Sequence, residues 1–176
     1  MRNLGLENVQ EAQEFTKLQP DGYICIITGV QDKTDKKYLE ICYDIATGDR
    51  KNHFYNLYKQ FGSWPNSGII RRSYKQKALP FFKSFITAVE NSNSGYKFNY
   101  DEKKLVKKIF GAVLAEEEYE NQEGEIKTRI YVAQVRSVDK IRNGDFTVPG
   151  LKKYEIKNTE PVFQPLTDEE MNELPF

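Results

Sequence analysis

Ala78-Leu79-Pro80-Phe81-Phe82-Lys83-Ser84-Phe85-Ile86-Thr87-Ala88-Val89 is the stretch on which the fold turns. Leu79, Phe82, Phe85, Ile86 and Val89 recur at the spacing that lines one side of a helix, and Pro80 suits a first turn, where its missing N–H costs nothing. The spacing predicts one amphipathic helix over 78–89. Asn91-Ser92-Asn93-Ser94-Gly95 closes it with turn residues. What surrounds the helix reads as strand. Upstream, Tyr23 to Val30 is nearly all apolar or β-branched; in 37–45, Leu39, Ile41, Tyr43 and Ile45 alternate with Tyr38, Glu40, Cys42 and Asp44, the pattern of a half-buried strand. Asp32-Lys33-Thr34-Asp35-Lys36 is a polar hairpin connection between them. Thr47-Gly48-Asp49 ends the second strand, His53 to Phe61 reads as a third, aromatic, extended segment, and Gly62 to Gly68 as a loop. Downstream, Asp101 caps a short turn through Leu105. Ile109 to Glu120 and Lys127 to Val138 follow as two long strands joined across Asn121-Gln122-Glu123-Gly124.

A helix between strands three and four of a five-stranded antiparallel set is the order of an OB-fold, a frame that binds oligonucleotides on one face. The expectation is a mainly β fold with one principal helix, an OB-fold-like five-stranded antiparallel barrel over residues 21–149. Residues 1–20 form an N-terminal extension in which Leu4, Leu6, Val9, Ala12, Phe15 and Leu18 recur at roughly helical spacing, and Pro20-Asp21-Gly22 ends it as a turn. Residues 150–166, with Pro161 and Pro165, read as a tether to a tail over 167–176. At 176 residues, the chain has room for one domain with extensions but not for two full domains. No apolar run approaches the length of a membrane span, and the N-terminus lacks a signal-peptide core, so a cytoplasmic location without a membrane partner is expected. Cys25 and Cys42 each fall inside an apolar run, which makes them reduced core residues and not a disulfide framework or zinc site.

The formal net charge is zero, with 26 basic and 26 acidic residues, but the sum conceals segregation. Between Arg50 and Val89 there are eight Lys and Arg residues, no acid, and nine aromatics. Unpaired nucleic acid is held by cations that follow the phosphates and by flat side chains on which bases stack, and a local positive field serves this whatever the total charge. The candidate contacts are Tyr55, Tyr58, Lys59, Trp64, Arg71, Arg72, Tyr74, Lys75 and Lys77. Phe82 and Phe85 lie on the apolar stripe of the helix and are assigned to the core. A second set, Arg129 and Tyr131, shares one face of the last strand and extends the groove, with ion pairing to Glu116, Glu117 or Glu118 as the competing use of Arg129. No phosphate-binding loop, dinucleotide turn, nucleophile elbow or His-based metal motif is present, so no cofactor, metal or catalytic residue is assigned. His53 is the single histidine.

The last ten residues carry a resemblance. Asp168, Glu169, Glu170 and Glu173 lead into Leu174-Pro175-Phe176, and Pro175 biases Leu174 towards an extended shape that lowers the entropy lost on docking. This end resembles the acidic tip of bacterial single-stranded DNA-binding proteins, from which it departs at Met171 and Asn172. The resemblance implies that the tip recruits replication and recombination proteins. With the basic-aromatic block it implies a coat for unpaired DNA of phage or mobile-element type in a bacterial host cell, with self-assembly into homo-oligomers open. The rival readings are a Mg²⁺-dependent nuclease at Glu125 and Lys127 or at Glu155 and Lys157, and a β-rich structural or interaction protein.

Overall fold

Two alternating strands set the core. The structure, a computed structural model, describes residues 2–9 and 16–156. In it β1 (Asp21–Lys33) and β2 (Tyr38–Ile45) pair antiparallel, with Cys25 opposite Ile45, Ile27 opposite Tyr43 and Val30 opposite Ile41. Partners directly opposite share a face, so these side chains fall together, and all but the partly covered Val30 are buried. A bulge between Ile27 and Gly29 shifts the alternation by one residue, which brings Val30 to the core side. β3 (Ile69–Ser73) adds to β2, β4 (Ile109–Glu120) to β1, and β5 (Ile126–Arg136) to β4, giving the order β3-β2-β1-β4-β5.

Two helices complete the core. α1 (His53–Phe61) packs on β2, and α2 (Leu79–Ser92) lies between β3 and β4 in the chain and packs on β3, β4 and β5. Phe85 and Val89 of α2 are fully buried, as the spacing over 78–89 requires. A line of edge-to-face rings runs through the interior: Phe85 to Phe110 at 5.6 Å, Phe110 to Tyr43 at 5.9 Å, and Tyr43 to Phe54 at 5.2 Å between ring centres.

The expectation of a mainly β, five-stranded antiparallel fold with one principal helix between strands three and four holds. Three details differ. The sheet is not closed into a barrel: β3 and β5 stand at the two ends of the strand order without pairing, and the turn at Asn66–Gly68 lies against β5. His53–Phe61, expected as a strand, is helical, since Phe54, Leu57, Tyr58 and Phe61 fall at helical spacing, and the third strand is Ile69–Ser73. The last strand stops at Arg136, and α3 (Val138–Arg142) follows it with Val138 buried. Of the N-terminal extension, Leu6–Asn8 form one 3-10 turn with Leu4, Leu6 and Val9 exposed, while Ala12 and Phe15 lie outside the described residues. Lys152 starts the expected tether by bridging β4: its N–H donates to the Glu116 carbonyl at 3.0 Å, and Glu118 N–H donates to the Lys152 carbonyl at 2.8 Å. Residues 157–176, including the whole tail, also lie outside the described residues.

Asp44 explains why α1 forms. It stands at a position of β2 expected to face solvent, yet it is 2% exposed. Its carboxylate accepts the backbone N–H of Phe54 and of Tyr55 at 2.9 Å each and of Ile45 at 2.8 Å. Two of these are first-turn donors that have no partner inside the helix, so a residue of β2 caps α1 from outside it. Asp44→Ala is expected to cost about 2–4 kcal/mol in urea unfolding, with Asp44→Asn, which keeps an acceptor oxygen, losing less. A loss below roughly 0.5 kcal/mol for the alanine variant would show that α1 is held by packing alone.

Candidate nucleic-acid interface

The first part of the candidate site is the outer face of α1. Tyr55 and Tyr58 lie one turn apart, 48% and 44% exposed, with rings stacked at 6.4 Å and 28° between planes. Lys59 places its ammonium 5.1 Å from the Tyr55 ring centre. Trp64 extends this row, its ring 6.1 Å from that of Tyr58. It is half-buried against the core, however, and its indole N–H donates to the Gly68 carbonyl at 3.0 Å. A side chain at position 68 would come within 2.7 Å of that nitrogen and 2.9 Å of Phe54, so the glycine is what lets the indole fold down. Trp64 therefore anchors the loop into β3, and Tyr55 and Tyr58 supply the open ring faces.

The second part is a cleft of about 550 Å³ between the two open edges of the sheet, lined by Asn66 and Arg71 on one side and Glu117, Tyr119, Arg129 and Tyr131 on the other. Strand register selects these residues. Arg71 lies opposite Glu40 and is exposed, with Nε 3.0 Å from a Glu40 oxygen and one terminal nitrogen 3.2 Å from Asn66 Oδ1. Arg129 lies opposite Glu117, donates through Nε at 2.9 Å, and holds its guanidinium 4.7 Å from the Tyr119 ring centre. The ion pair weighed for Arg129 is thus formed with Glu117. Each guanidinium keeps terminal N–H groups outside its carboxylate bond, and exposed pairs of this kind contribute roughly 0–1 kcal/mol, so an incoming phosphate has little to displace.

The remaining candidates lie elsewhere. Arg72 faces the opposite side of β3 from Arg71, opposite the buried Leu39, with its guanidinium 5.9 Å from the Phe85 ring centre. Burial lowers its pKa from the ordinary arginine value. Tyr74 is half-buried, its hydroxyl donating to Asp32 at 2.8 Å; that hydrogen bond leads the causes that raise the phenol pKa. Lys75 and Lys77 are exposed and pair with no described carboxylate. The two sequence blocks therefore meet through Arg71, Arg129 and Tyr131, whereas Arg72 and Tyr74 turn away from them. Sequence reading missed Asn66, Tyr119 and Asp44. Tyr119 had a signal, since it follows Glu117 at strand spacing.

Glu125 and Lys127 pair with each other at 3.0 Å at the β4–β5 turn. Lys127 and Asn121 hold the Glu125 carboxyl below its ordinary pKa. Among the described residues, no group of three or more His, Cys, Asp and Glu is arranged to hold a metal ion, and no helix is long and apolar enough to cross a membrane. Lys157 and the tail residues Asp168, Glu169, Glu170, Glu173, Leu174, Pro175 and Phe176 fall outside the described residues. No protein-family model and no curated protein matches the sequence.

His53 opens α1 with its ring edge-on to Phe54 at 5.0 Å. Burial lowers its pKa from 6.5, opposed by Asp44 and assisted by Arg50. The unfolded chain therefore takes up a proton near pH 6.5 that the folded chain resists, and stability present above that pH is lost as pH falls. Unfolding between pH 7.5 and 5.5 is expected to show this decline, and His53→Gln is expected to flatten it. An equal slope in both proteins would assign the decline to the carboxylates.

Proposed function

We propose that the protein binds single-stranded DNA without strong sequence preference and recruits other proteins through its acidic C-terminal tip. The observation that carries the reading is the meeting of Arg71 with Arg129 and Tyr131 in one cleft between β3 and β5, although 58 positions separate the two arginines. Two guanidiniums offer forked donors to phosphate, and Tyr119 and Tyr131 beside them offer ring surface to unstacked bases. Tyr55, Tyr58 and Lys59 on α1 add a second patch of the same chemistry, joined to the cleft by the loop from Trp64 to Gly68. Such binding requires no catalytic group. The tip would take partners that offer an apolar slot with a basic rim, and replication and recombination proteins are the expected class from the family resemblance.

If about five phosphates are neutralised, log affinity falls with log salt at a slope of roughly −3 to −4. Anisotropy titrations of oligothymidine should show that slope, and Arg71→Gln with Arg129→Gln should make it shallower by about 1.4 while weakening binding. Equal affinity for duplex and single strand, or an unchanged slope in the double variant, would remove the cleft from the account.

Deleting Thr167 to Phe176 is expected to leave DNA affinity intact while abolishing recovery of replication proteins in a pull-down. Equal recovery with and without the tail would end that role. A second reading is self-assembly, for which the edges of β3 and β5 are unpaired although their charged side chains oppose it. Salt-independent self-association without DNA affinity would be its mark.

A further inference from the structure

Residues 96–108 form a second basic and aromatic stretch outside the expected site, with Tyr96, Phe98 and Tyr100 at alternate positions among Lys97, Lys103, Lys104, Lys107 and Lys108. In the fold its rings continue a row that begins at the end of β3. Tyr74 meets Phe82 at 6.3 Å between ring centres, Phe82 meets Phe98 at 6.2 Å, and Phe98 meets Tyr100 at 5.6 Å. The row runs from cover to solvent. Its first three members are half-buried, and Tyr100 is 89% exposed, the most open large hydrophobic among the described residues.

The loop that presents Tyr100 is tied down. Glu90 of α2 accepts the Phe98 backbone N–H at 2.9 Å and the Lys97 ammonium at 3.1 Å. Asn93 donates to the carbonyls of Val89 and Ile109 and accepts the Ile109 N–H at 3.1 Å, which fixes the start of the loop against β4. Tyr100 itself adopts a left-handed backbone with φ 55°, a conformation that large residues rarely take and that glycine or asparagine would take at lower cost. An aromatic side chain is thus held open to water on a fixed support in an unfavoured conformation, and neither packing nor turn chemistry accounts for it.

The charges around the row decide what would cover it. Lys75 directly follows Tyr74, Lys77 and Lys103 come three residues after Tyr74 and Tyr100, and all three are exposed and pair with no described carboxylate. Of the nearby acids, Asp32 accepts the Tyr74 hydroxyl at 2.8 Å with Asp35 close by, Glu90 is engaged by Lys97 and Phe98, Asp101 pairs with Lys104 at 3.5 Å, and Glu102 remains. An apolar protein partner would need a continuous greasy surface, whereas here exposed lysines lie within three residues of the rings in sequence at both ends. A ligand that alternates a flat ring with a negative charge matches this better.

We propose that Tyr100, braced by Phe98, is a separate stacking station for an unpaired nucleobase, with Lys75, Lys77 and Lys103 available to the adjoining phosphates. The station rests on the reading of the protein as a single-strand binder and is separate from the β3–β5 cleft, since Tyr74, where the row begins, lies on the Arg72 side of β3 and not on the Arg71 side. The test is anisotropy with oligothymidines from about 4 to about 16 nucleotides on the full chain and on Tyr100→Ala and Tyr100→Phe. Short oligomers that fill only the cleft should bind all three proteins equally. Above a threshold length, Tyr100→Ala should bind roughly 5- to 150-fold more weakly than the natural protein, and Tyr100→Phe, which keeps the ring, should not. Equal affinities of Tyr100→Ala and the natural protein at every length would overturn the station while leaving the cleft in place. A loss shared by Tyr100→Phe would overturn it too, because the hydroxyl and not the ring would be responsible. Failure of the natural protein to bind any oligomer would remove the cleft reading and the station together.

Discussion

Tyr43 is the residue through which the parts of this fold hold one another in place. It is fully buried, and its ring meets Phe54 of α1 on one side and Phe110 of β4 on the other. Phe110 in turn meets Phe85 of α2, so both helices are referenced to the sheet through one phenol ring. A hydroxyl at that depth must be hydrogen-bonded, and it donates to the Ser67 carbonyl at 2.8 Å. Burial drives its pKa far above the ordinary tyrosine value, which keeps the group a neutral donor. The bond is positional as well as energetic, because it fixes the Asn66–Gly68 turn, which carries Asn66 to the cleft and starts β3 in register. The core thereby sets where Arg71 lies.

Much of this architecture is legible in the sequence wherever one period dominates. The apolar spacing of α2 and the alternation in β2 resolve into the observed elements, and β4 begins and ends as expected at Ile109 and Glu120. α1 was harder because its aromatics have high strand propensity while Phe54, Leu57, Tyr58 and Phe61 keep a helical period. The deciding group, Asp44, is ten positions upstream of Phe54, so local reading cannot see the cap. β3 is short and lies inside the basic block, where Arg71 and Arg72 interrupt the apolar signal. The candidate site was legible in composition and not in geometry. Both basic sets were recognisable, but only register shows that Arg71 faces Glu40 at the surface while Arg72 sits opposite Leu39 over Phe85.

The zero net charge has a structural counterpart. Two basic side chains on the sheet stand against an acid across a strand pair, Arg71 with Glu40 and Arg129 with Glu117. These pairs orient each guanidinium at little free-energy gain, because the groups are part-exposed and screened by water. Orientation is the useful result. A side chain already confined by one carboxylate loses less freedom when a second anion arrives, and the Tyr119 ring under Arg129 confines it further.

The open sheet and the charged cleft are two consequences of one feature. Unpaired edges invite pairing with other chains, and proteins restrain this with short strands, bulges and charged side chains. β3 is five residues long and carries two arginines, and the exposed stretch of β5 includes Lys127 and Arg129. Had β3 been longer and apolar, it would have closed on β5 or paired with a neighbouring molecule, and in either case no cleft would separate them. Because it is short and basic, the two edges stay apart with Arg71 and Arg129 turned towards the same gap. Arg71 and Arg129, which help protect the edges from backbone pairing, are therefore also the residues that line the gap, and a substitution that closed the sheet would remove the gap they face.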